Sequence, residues 1–315
     1  MWQSVEAWQC YALKYYVVCR MRVWYNQNVH FICGRSLQTV IMRTKVTVIV
    51  DNISNMGIGG EWGLSILVEY ADKIILVDTG ASALFLKNME KLGIDVRDID
   101  YAVLSHAHYD HSNGMPMFFD NNTKAKFYLR NGTAEDCYAK KFFFTKYIGI
   151  PKNVLSNYPD RIEMVSGDYK IIDGVYLIPH KTKGLSDIGK REMMYRRTVN
   201  GWLPDDFSHE QSLVLDTDKG LVIINSCSHG GAANIINEIQ TTFPEKHVYG
   251  LIGGFHLFNK SNNLIRELAK KINNTGIEYV CTGHCTKERA YSILKEELGD
   301  KLEQMKVGYQ VDFSL

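Results

Sequence analysis

Three histidines and an aspartate fall within six residues of Ser105-His-Ala-His-Tyr-Asp-His-Ser-Asn-Gly114, namely His106, His108, Asp110 and His111. Imidazole nitrogens and a carboxylate are ligands for Zn2+, Fe or Mn. With 10 His in 315 residues, three at fixed offsets arise by chance in roughly one in a hundred such chains. A functionless surface cluster is therefore the weaker reading. The strand-like run Tyr101–Leu104 stops just before the cluster, and Gly114 follows it. A strand end with a short loop lets His106 and His108 point to one ion, while Asp110 and His111 turn toward a second. Leu76-Val-Asp-Thr-Gly80 is a further signal. Alone, an Asp-x-Gly turn is common. Beside the His cluster, Asp78 reads as a carboxylate that orients a ligand or the ligand loop.

The elements that must carry these residues are strands interleaved with helices. Strand-like runs recur at Lys45–Val50, Leu64–Tyr70, Lys73–Val77, Ala125–Leu129, Val175–Pro179, Ser212–Asp216, Leu221–Asn225, Val248–Ile252, Ile277–Cys281 and Val307–Phe313. Helical stripes follow Ser82, Ser261 and Thr286, each a candidate cap, and stop at Gly93, Gly276 and Gly299. Early strands form a meander and later ones alternate with helices, which predicts an α/β layered domain. A two-half echo of strands then helix runs through 42–115 and 205–290. The stretches 130–170 and 181–209 read as irregular loops over a site. The first is aromatic (Tyr138, Phe142, Phe143, Phe144, Tyr147) and the second basic (Lys181, Lys183, Lys190, Arg191, Arg196, Arg197).

Composition excludes several classes. Lys plus Arg is 36 against 35 acids, a net charge of +1, so no bulk field favours nucleic acid or an anionic membrane. Apolar residues at 45% and charged residues at 23% are ordinary globular usage. No apolar run reaches the ~18–20 residues of a membrane span. Seven cysteines, at 10, 19, 33, 137, 227, 281 and 285, are odd in number and irregular in spacing. That fits free thiols in a reducing cytoplasm. Residues 1–41 differ from the rest, with three of the five Trp and one acid, Glu6. The reading is an N-terminal extension over 1–41, disordered or from a misassigned start, ahead of a working domain at 42–315.

Leu76–Gly80, His106-x-His-x-Asp-His111 and Gly114 together resemble the metallo-β-lactamase fold superfamily. Gly60–Ser65, His209–Val214, Asn225–Gly231, Gly253–Leu257 and Thr282–Thr286 resemble its dihydropterin–ribofuranosylaminobenzene phosphate synthase-like branch. The resemblance covers about 45–315. It implies a four-layer αββα sandwich with a dinuclear site at the strand ends, between the sheets. Such a site wants a third His for the first ion, a bridging group and a last His for the second ion. His229 and His284, each just past a strand, are favoured as ligands. His209 occupies the position from which many relatives supply the third His, so His209 and His229 compete for that role. Cys227 stands where many members carry a bridging Asp, and a thiolate there favours Zn2+. His256 is a candidate for contact with substrate or metal. His30, His180 and His247 read as ordinary core or surface residues, Cys281 and Cys285 as buried thiols, and Cys137 as structural.

Two close divalent ions, Zn2+ first with Fe or Mn as alternatives, would lower the pKa of a shared water. The expected function is a metal-dependent hydrolase in which the activated hydroxide attacks a small, anionic ester such as a phosphoester, with Asp110 orienting the water. The basic loop suggests a phosphorylated substrate and the aromatic loop a planar, pterin-like one. The alternatives are the synthase-like transferase and a non-catalytic metal-dependent sensor. No nucleic-acid or membrane partner is expected, and the oligomeric state is left open.

Overall fold

The computed structural model describes residues 10–13, 16–19, 43–55, 57–141 and 143–314. The chain divides into two compact units, 1–42 and 43–315. In the first, β1 (Cys10–Leu13) pairs antiparallel with β2 (Tyr16–Cys19). The remainder of the expected N-terminal extension, with His30, lies outside the described residues.

The second unit is built on two sheets, each of seven strands among the described residues. The first contains β3 (Thr44–Val50), β4 (Ser65–Tyr70), β5 (Lys73–Val77), β6 (Tyr101–Val103), β7 (Lys126–Arg130), β10 (Ile162–Val165) and β20 (Gln310–Asp312). Its order is β10-β7-β6-β5-β4-β3-β20. The second contains β11 (Tyr169–Ile172), β12 (Val175–Pro179), β15 (Gln211–Thr217), β16 (Gly220–Ile224), β17 (Val248–Gly253), β18 (Tyr279–Thr282) and β19 (Leu302–Gln304), neighbours in that order. The strands are rich in Val, Ile and Leu because most are covered on both faces.

Parallel neighbours need crossovers, and helices supply them. On the first sheet, Phe85 and Met89 of α1 (Leu84–Lys91) and Met115 and Phe118 of α3 (Met115–Asn121) pack with Leu76, Ala102 and Phe127. On the second, α6 (Ala232–Thr242), α7 (Asn262–Asn274) and α8 (Lys287–Leu298) bury Ile236, Ile265, Ile272 and Leu294 against Ile223, Leu251 and Val280. The sheets meet through their other faces. Tyr70 Oη donates to Asp216 O at 2.8 Å and Gln211 Nε2 to Leu104 O at 2.8 Å. The architecture is the expected αββα sandwich, and its two halves repeat strands then helix.

The two stretches expected to be irregular loops are more ordered than that. They contain the short helices α4 (Val154–Asn157) and α5 (Leu185–Arg191). They also pair with each other in a four-stranded sheet, β14 (Gly201–Pro204), β13 (Met194–Thr198), β8 (Cys137–Lys141) and β9 (Phe144–Tyr147), in the order β14-β13-β8-β9. Met194 opposes Ala139 and Arg196 opposes Cys137. Such long-range pairing leaves little trace in local periodicity. Ser261 caps α7 as expected, accepting from Leu264 N at 3.4 Å. Thr286 does not cap α8. Its Oγ1 instead accepts from Phe255 N at 3.0 Å and bonds Thr282 Oγ1 at 2.6 Å. Among the described residues no helix is long and apolar enough to cross a membrane.

Candidate metal centre

Both sheets deliver chemistry at the carboxyl ends of their strands. In the first sheet Asp51 follows β3, Asp78 follows β5, and Ser105 to His111 follow β6. In the second, Cys227 and His229 follow β16, His256 follows β17, and His284 follows β18. Carboxyl ends of strands are where open α/β sheets gather ligands.

The His106–His111 segment is stiffened by its own turn, with His111 N donating to His108 O at 3.1 Å, and by neighbouring backbone. His108 precedes the one-turn helix α2 (Tyr109–Ser112). Thr79 N donates to His111 O at 2.7 Å, and Leu64 N to Asp110 O at 3.2 Å. Gly114 is fixed by packing, because a Cβ there would meet Thr79 O at 2.5 Å.

Asp78, fully buried with φ 61°, is the hub beneath this loop. Its Oδ1 accepts from Ser105 N at 2.7 Å. Its Oδ2 accepts from Ser105 Oγ and Ser226 Oγ, both at 2.6 Å, and meets His111 Nδ1 at 2.8 Å. Against this carboxylate His111 Nδ1 is the donor, and its Nε2 is turned toward Asp110 and Cys227. Ser105 Oγ has spent its single proton on Asp78, so His106 Nδ1 donates to it at 2.9 Å, leaving Nε2 free. His284 Nδ1 lies 3.3 Å from Asn52 Oδ1. This is the arrangement in which a metal-ligating His donates its other nitrogen to an oxygen.

The rings form two groups. His106, His108 and His229 make a triangle with centroids 4.6, 5.1 and 5.2 Å apart. Asp110 Oδ2 lies 3.8 Å from His111 Nε2 and 3.4 Å from His284 Nε2. Cys227 joins both groups. Its Sγ offers a donor within 4.8 Å of His106 and His229, and equally of His111 and His284. It is 3.3 Å from His111 Nε2.

The centre is buried, and charge is costly there. Burial first, then the neighbouring His111 and His108, pushes His106 well below the usual imidazole range. His229 is lowered by burial and by His256. His108 is lowered to about 4, by burial and then His209. Burial alone would raise Asp110, but His111 and His284 outweigh it and keep the carboxyl ionised. Burial would lower His284, but Cys285 and Asp110 outweigh it and push it up to about 9. His106, His108 and His229 thus offer neutral imidazoles and Asp110 a carboxylate, while His284 gives up a proton when it takes a cation. His106 Nε2, His284 Nε2 and both ring nitrogens of His229 are buried without a hydrogen-bond partner. Each such orphan costs about 1–3 kcal/mol, so the donor set fits divalent cations.

The two competing histidines have different partners. His209 Nδ1 accepts from Ala107 N at 3.1 Å and its Nε2 meets Asp205 Oδ2 at 3.1 Å, so both nitrogens are occupied. His229 has both free, with its ring flat on Phe207 at 4.4 Å. Its backbone N donates to Glu210 Oε1 at 3.2 Å. His256 stands at the edge of the cluster, 4.5 Å from the His229 ring, with neither nitrogen hydrogen-bonded and Nε2 4.0 Å from Glu192 Oε2. His180 is buried between Glu210 and Glu238, and His247 is exposed on Glu278, in keeping with their ordinary reading.

Several contributors carried no motif. Asp51 Oδ2 accepts from His284 N at 2.8 Å, and Asn52 Nδ2 donates to His284 O at 2.9 Å. These bonds hold His284 at φ 46°. Asp51 ends its strand just as Asp78 does, and that shared position was the available signal. The aromatics flanking the cluster are Trp62, 4.9 Å from the His284 ring, Phe207, and Phe258, 5.0 Å from His256. They are not those of the 138–147 hairpin. A cavity of about 300 Å3 lies beside Phe207, lined also by His180, Thr182, Ser186, Ser208 and Glu210.

Residues 59–233 match the family described as the metallo-beta-lactamase superfamily. The chain belongs to that superfamily. It is 28% identical over 271 residues to the 7,8-dihydropterin-6-methyl-4-(beta-D-ribofuranosyl)-aminobenzene-5'-phosphate synthase of Methanocaldococcus jannaschii. That alignment covers 80% of this chain and 90% of the relative. An uncharacterized protein of the same organism, MJ0448, is 27% identical over 80% of this chain and 94% of its own length. The crystal structure of Tm1679, a metal-dependent hydrolase of the beta-lactamase superfamily, superposes with a TM-score of 0.73 at 30% identity. It covers 86% of this chain and 100% of that one. These similarities agree with the branch read from the motifs, and divalent metal binding goes with the fold.

Proposed function

We propose that the protein is a dinuclear metallo-hydrolase acting on a small anionic ester. His106, His108 and His229 hold one cation, Asp110, His111 and His284 hold the other, and Cys227 lies between them. The observation that carries this reading is that the Cys227 sulfur lies within ligand reach of two histidine pairs, His106 with His229 and His111 with His284. Bound there, two divalent ions supply Lewis acidity and lower the pKa of water toward neutrality. A thiolate among imidazoles favours Zn2+ over Fe or Mn.

The chain's own residues do the rest. Asp110 stays ionised and orients the attacking water. Asp78 fixes the His111 tautomer, and Asp51 fixes the His284 backbone. His256, with neither nitrogen hydrogen-bonded, faces the substrate. The cavity beside Phe207 takes the organic part, with the Thr182, Ser186 and Ser208 hydroxyls as hydrogen-bonding groups. Exposed Lys183 and Lys190 support an anionic, phosphorylated substrate. Arg196 does not, because Asp136 Oδ2 at 3.0 Å and Ser208 Oγ at 3.0 Å occupy it. The free, buried Cys137, Cys227, Cys281 and Cys285 support a cytoplasmic setting.

The similarity to a named synthase favours a second reading, transfer rather than hydrolysis, at the same centre. The complete ligand sets weigh against a non-catalytic sensor. Zinc-loaded protein is assayed on bis(p-nitrophenyl) phosphate and on neutral p-nitrophenyl acetate, with and without chelator. Chelator-sensitive turnover that prefers the phosphodiester is expected. Equal turnover of both esters overturns the anionic assignment, and chelator-resistant turnover overturns the metal mechanism.

A further inference from the structure

Cys227 and Cys285 lie 58 residues apart in sequence, yet their sulfurs are 3.4 Å apart. Both are buried, at 3% and 1% exposure. Cys227 sits in the turn after β16. Cys285 sits in the single turn His284–Thr286 after β18. The Cys285 sulfur is held from two sides. His256 N donates to it at 3.2 Å, and a Cβ on Gly254 would come within 2.5 Å of it. Neither Cys137 nor Cys281 is paired with a second sulfur among the described residues.

We propose that Cys227 and Cys285 form a reversible thiol-oxidation site inside the metal centre, with hydrogen peroxide as the class of oxidant. Two thiols in van der Waals contact need only close to about 2.05 Å to form a disulfide. The site touches solvent through His108, His229 and His256, at 5%, 5% and 9% exposure, which suffices for a water-sized oxidant. The Cys227 sulfur attacks one peroxide oxygen and the O–O bond breaks. This gives a sulfenic acid and one water. The Cys285 sulfur then attacks the sulfenic sulfur. The S–S bond forms, the S–O bond breaks, and the hydroxyl leaves as a second water with the Cys285 proton. Both sulfurs are oxidised by one electron each as the peroxide is reduced, and a dithiol reverses the step by exchange. The disulfide takes the Cys227 sulfur out of its place between the two ligand sets. This consequence rests on the role proposed for Cys227 above.

The test treats the full chain, zinc-loaded and zinc-stripped, with hydrogen peroxide. Free thiols are then alkylated, and peptides and bound zinc are measured. The expected result is a peptide linking Cys227 to Cys285 and a mass lower by about 2 Da, the two hydrogens lost. Zinc falls in proportion to the cross-link, and dithiothreitol restores it. The Cys285→Ser variant, whose hydroxyl still accepts from His256 N, should fold, form no such peptide and instead accumulate over-oxidised Cys227. The absence of the linked peptide in zinc-stripped wild type overturns the oxidation site and leaves the proposed function standing. A full cross-link with zinc retained supports the oxidation site and overturns the role of Cys227 between the ions.

Discussion

The two sheets build their halves of the centre differently. The first supplies His106, His108, Asp110 and His111 from one segment, stiffened by a helical turn and by Asp78 beneath it. The second supplies Cys227, His229, His256 and His284 one or two at a time from three separate turns. Those turns carry left-handed backbone at Ser228, His256 and His284, with φ 50°, 49° and 46°. Each such residue costs about 1–2 kcal/mol and is held by a side-chain acceptor. Asp51 Oδ2 accepts from His284 N, Asn225 Oδ1 from Ser228 N at 2.7 Å, and the Cys285 sulfur from His256 N. One half is a contiguous segment braced by tertiary contacts, and the other is brought together from separate turns by them.

The largest effects should come from ligands that complete the second set. Asp110→Asn and His284→Ala should each lower kcat by about 10²–10⁴-fold and cut bound metal from two ions to one. Steady-state kinetics with metal analysis checks this, and unchanged metal content contradicts the assignment.

The supports sharpen the contrast. Asp78→Asn leaves a buried network of four donors short of acceptor strength. It should weaken metal affinity by about 10–100-fold and cost about 1–3 kcal/mol of stability. Asp51→Asn should act on the His284 side alone, lowering occupancy of that ion while sparing the other. Competition with a chromophoric chelator resolves the two affinities. Equal loss from both ions in Asp51→Asn would erase the distinction between the halves. His229→Gln should lose the first ion, whereas His209→Gln, which disturbs the Ala107 and Asp205 bonds and the packing on His108 and Phe207, should lose stability and keep metal.

Acidity should separate two buried histidines. In zinc-stripped protein His108 is held at about 4 by burial and then His209, against about 6.5 when unfolded. The unfolded chain therefore binds the proton first, and stability falls as pH drops from about 6.5 to about 4. His180 behaves oppositely. Burial would lower it, but Glu210 and Glu238 outweigh that and push it up to about 10. Its contribution is complete below about 6.5 and is lost as pH rises through about 10. Melting curves of wild type and His180→Gln should therefore converge toward pH 10, and a gap that stays constant with pH contradicts the ion-pair account. The smallest effect should be at the hairpin tip, where Phe143 is 100% exposed. Phe143→Ser should change stability by no more than about 0.5 kcal/mol.

The same asymmetry explains what could be read from the chain. His106 to His111 and Asp78 were legible because contiguous residues at a strand end fix their own spacing. The strands and an α/β layered domain were legible from β-branched runs and helical stripes, and the αββα sandwich from the resemblance to the superfamily. The preference for His229 over His209 in the proposed function was not. It depends on Ala107 and Asp205 filling both nitrogens of one ring while Phe207 and Glu210 leave the other ring free. Asp51 and Glu210 act on backbone amides far along the chain, which no motif records. The four-stranded sheet arises from pairing between two segments whose own periodicity is weak. Trp62, Phe207 and Phe258 border the cluster only because three separate loops converge.

The most direct test is the metal content of purified protein, by native mass spectrometry and elemental analysis, for wild type, His106→Ala, His284→Ala and the double variant. The account predicts two divalent ions in wild type, one in each single variant, and none in the double variant. Two ions in all four proteins, or none in the wild type after zinc loading, would contradict it.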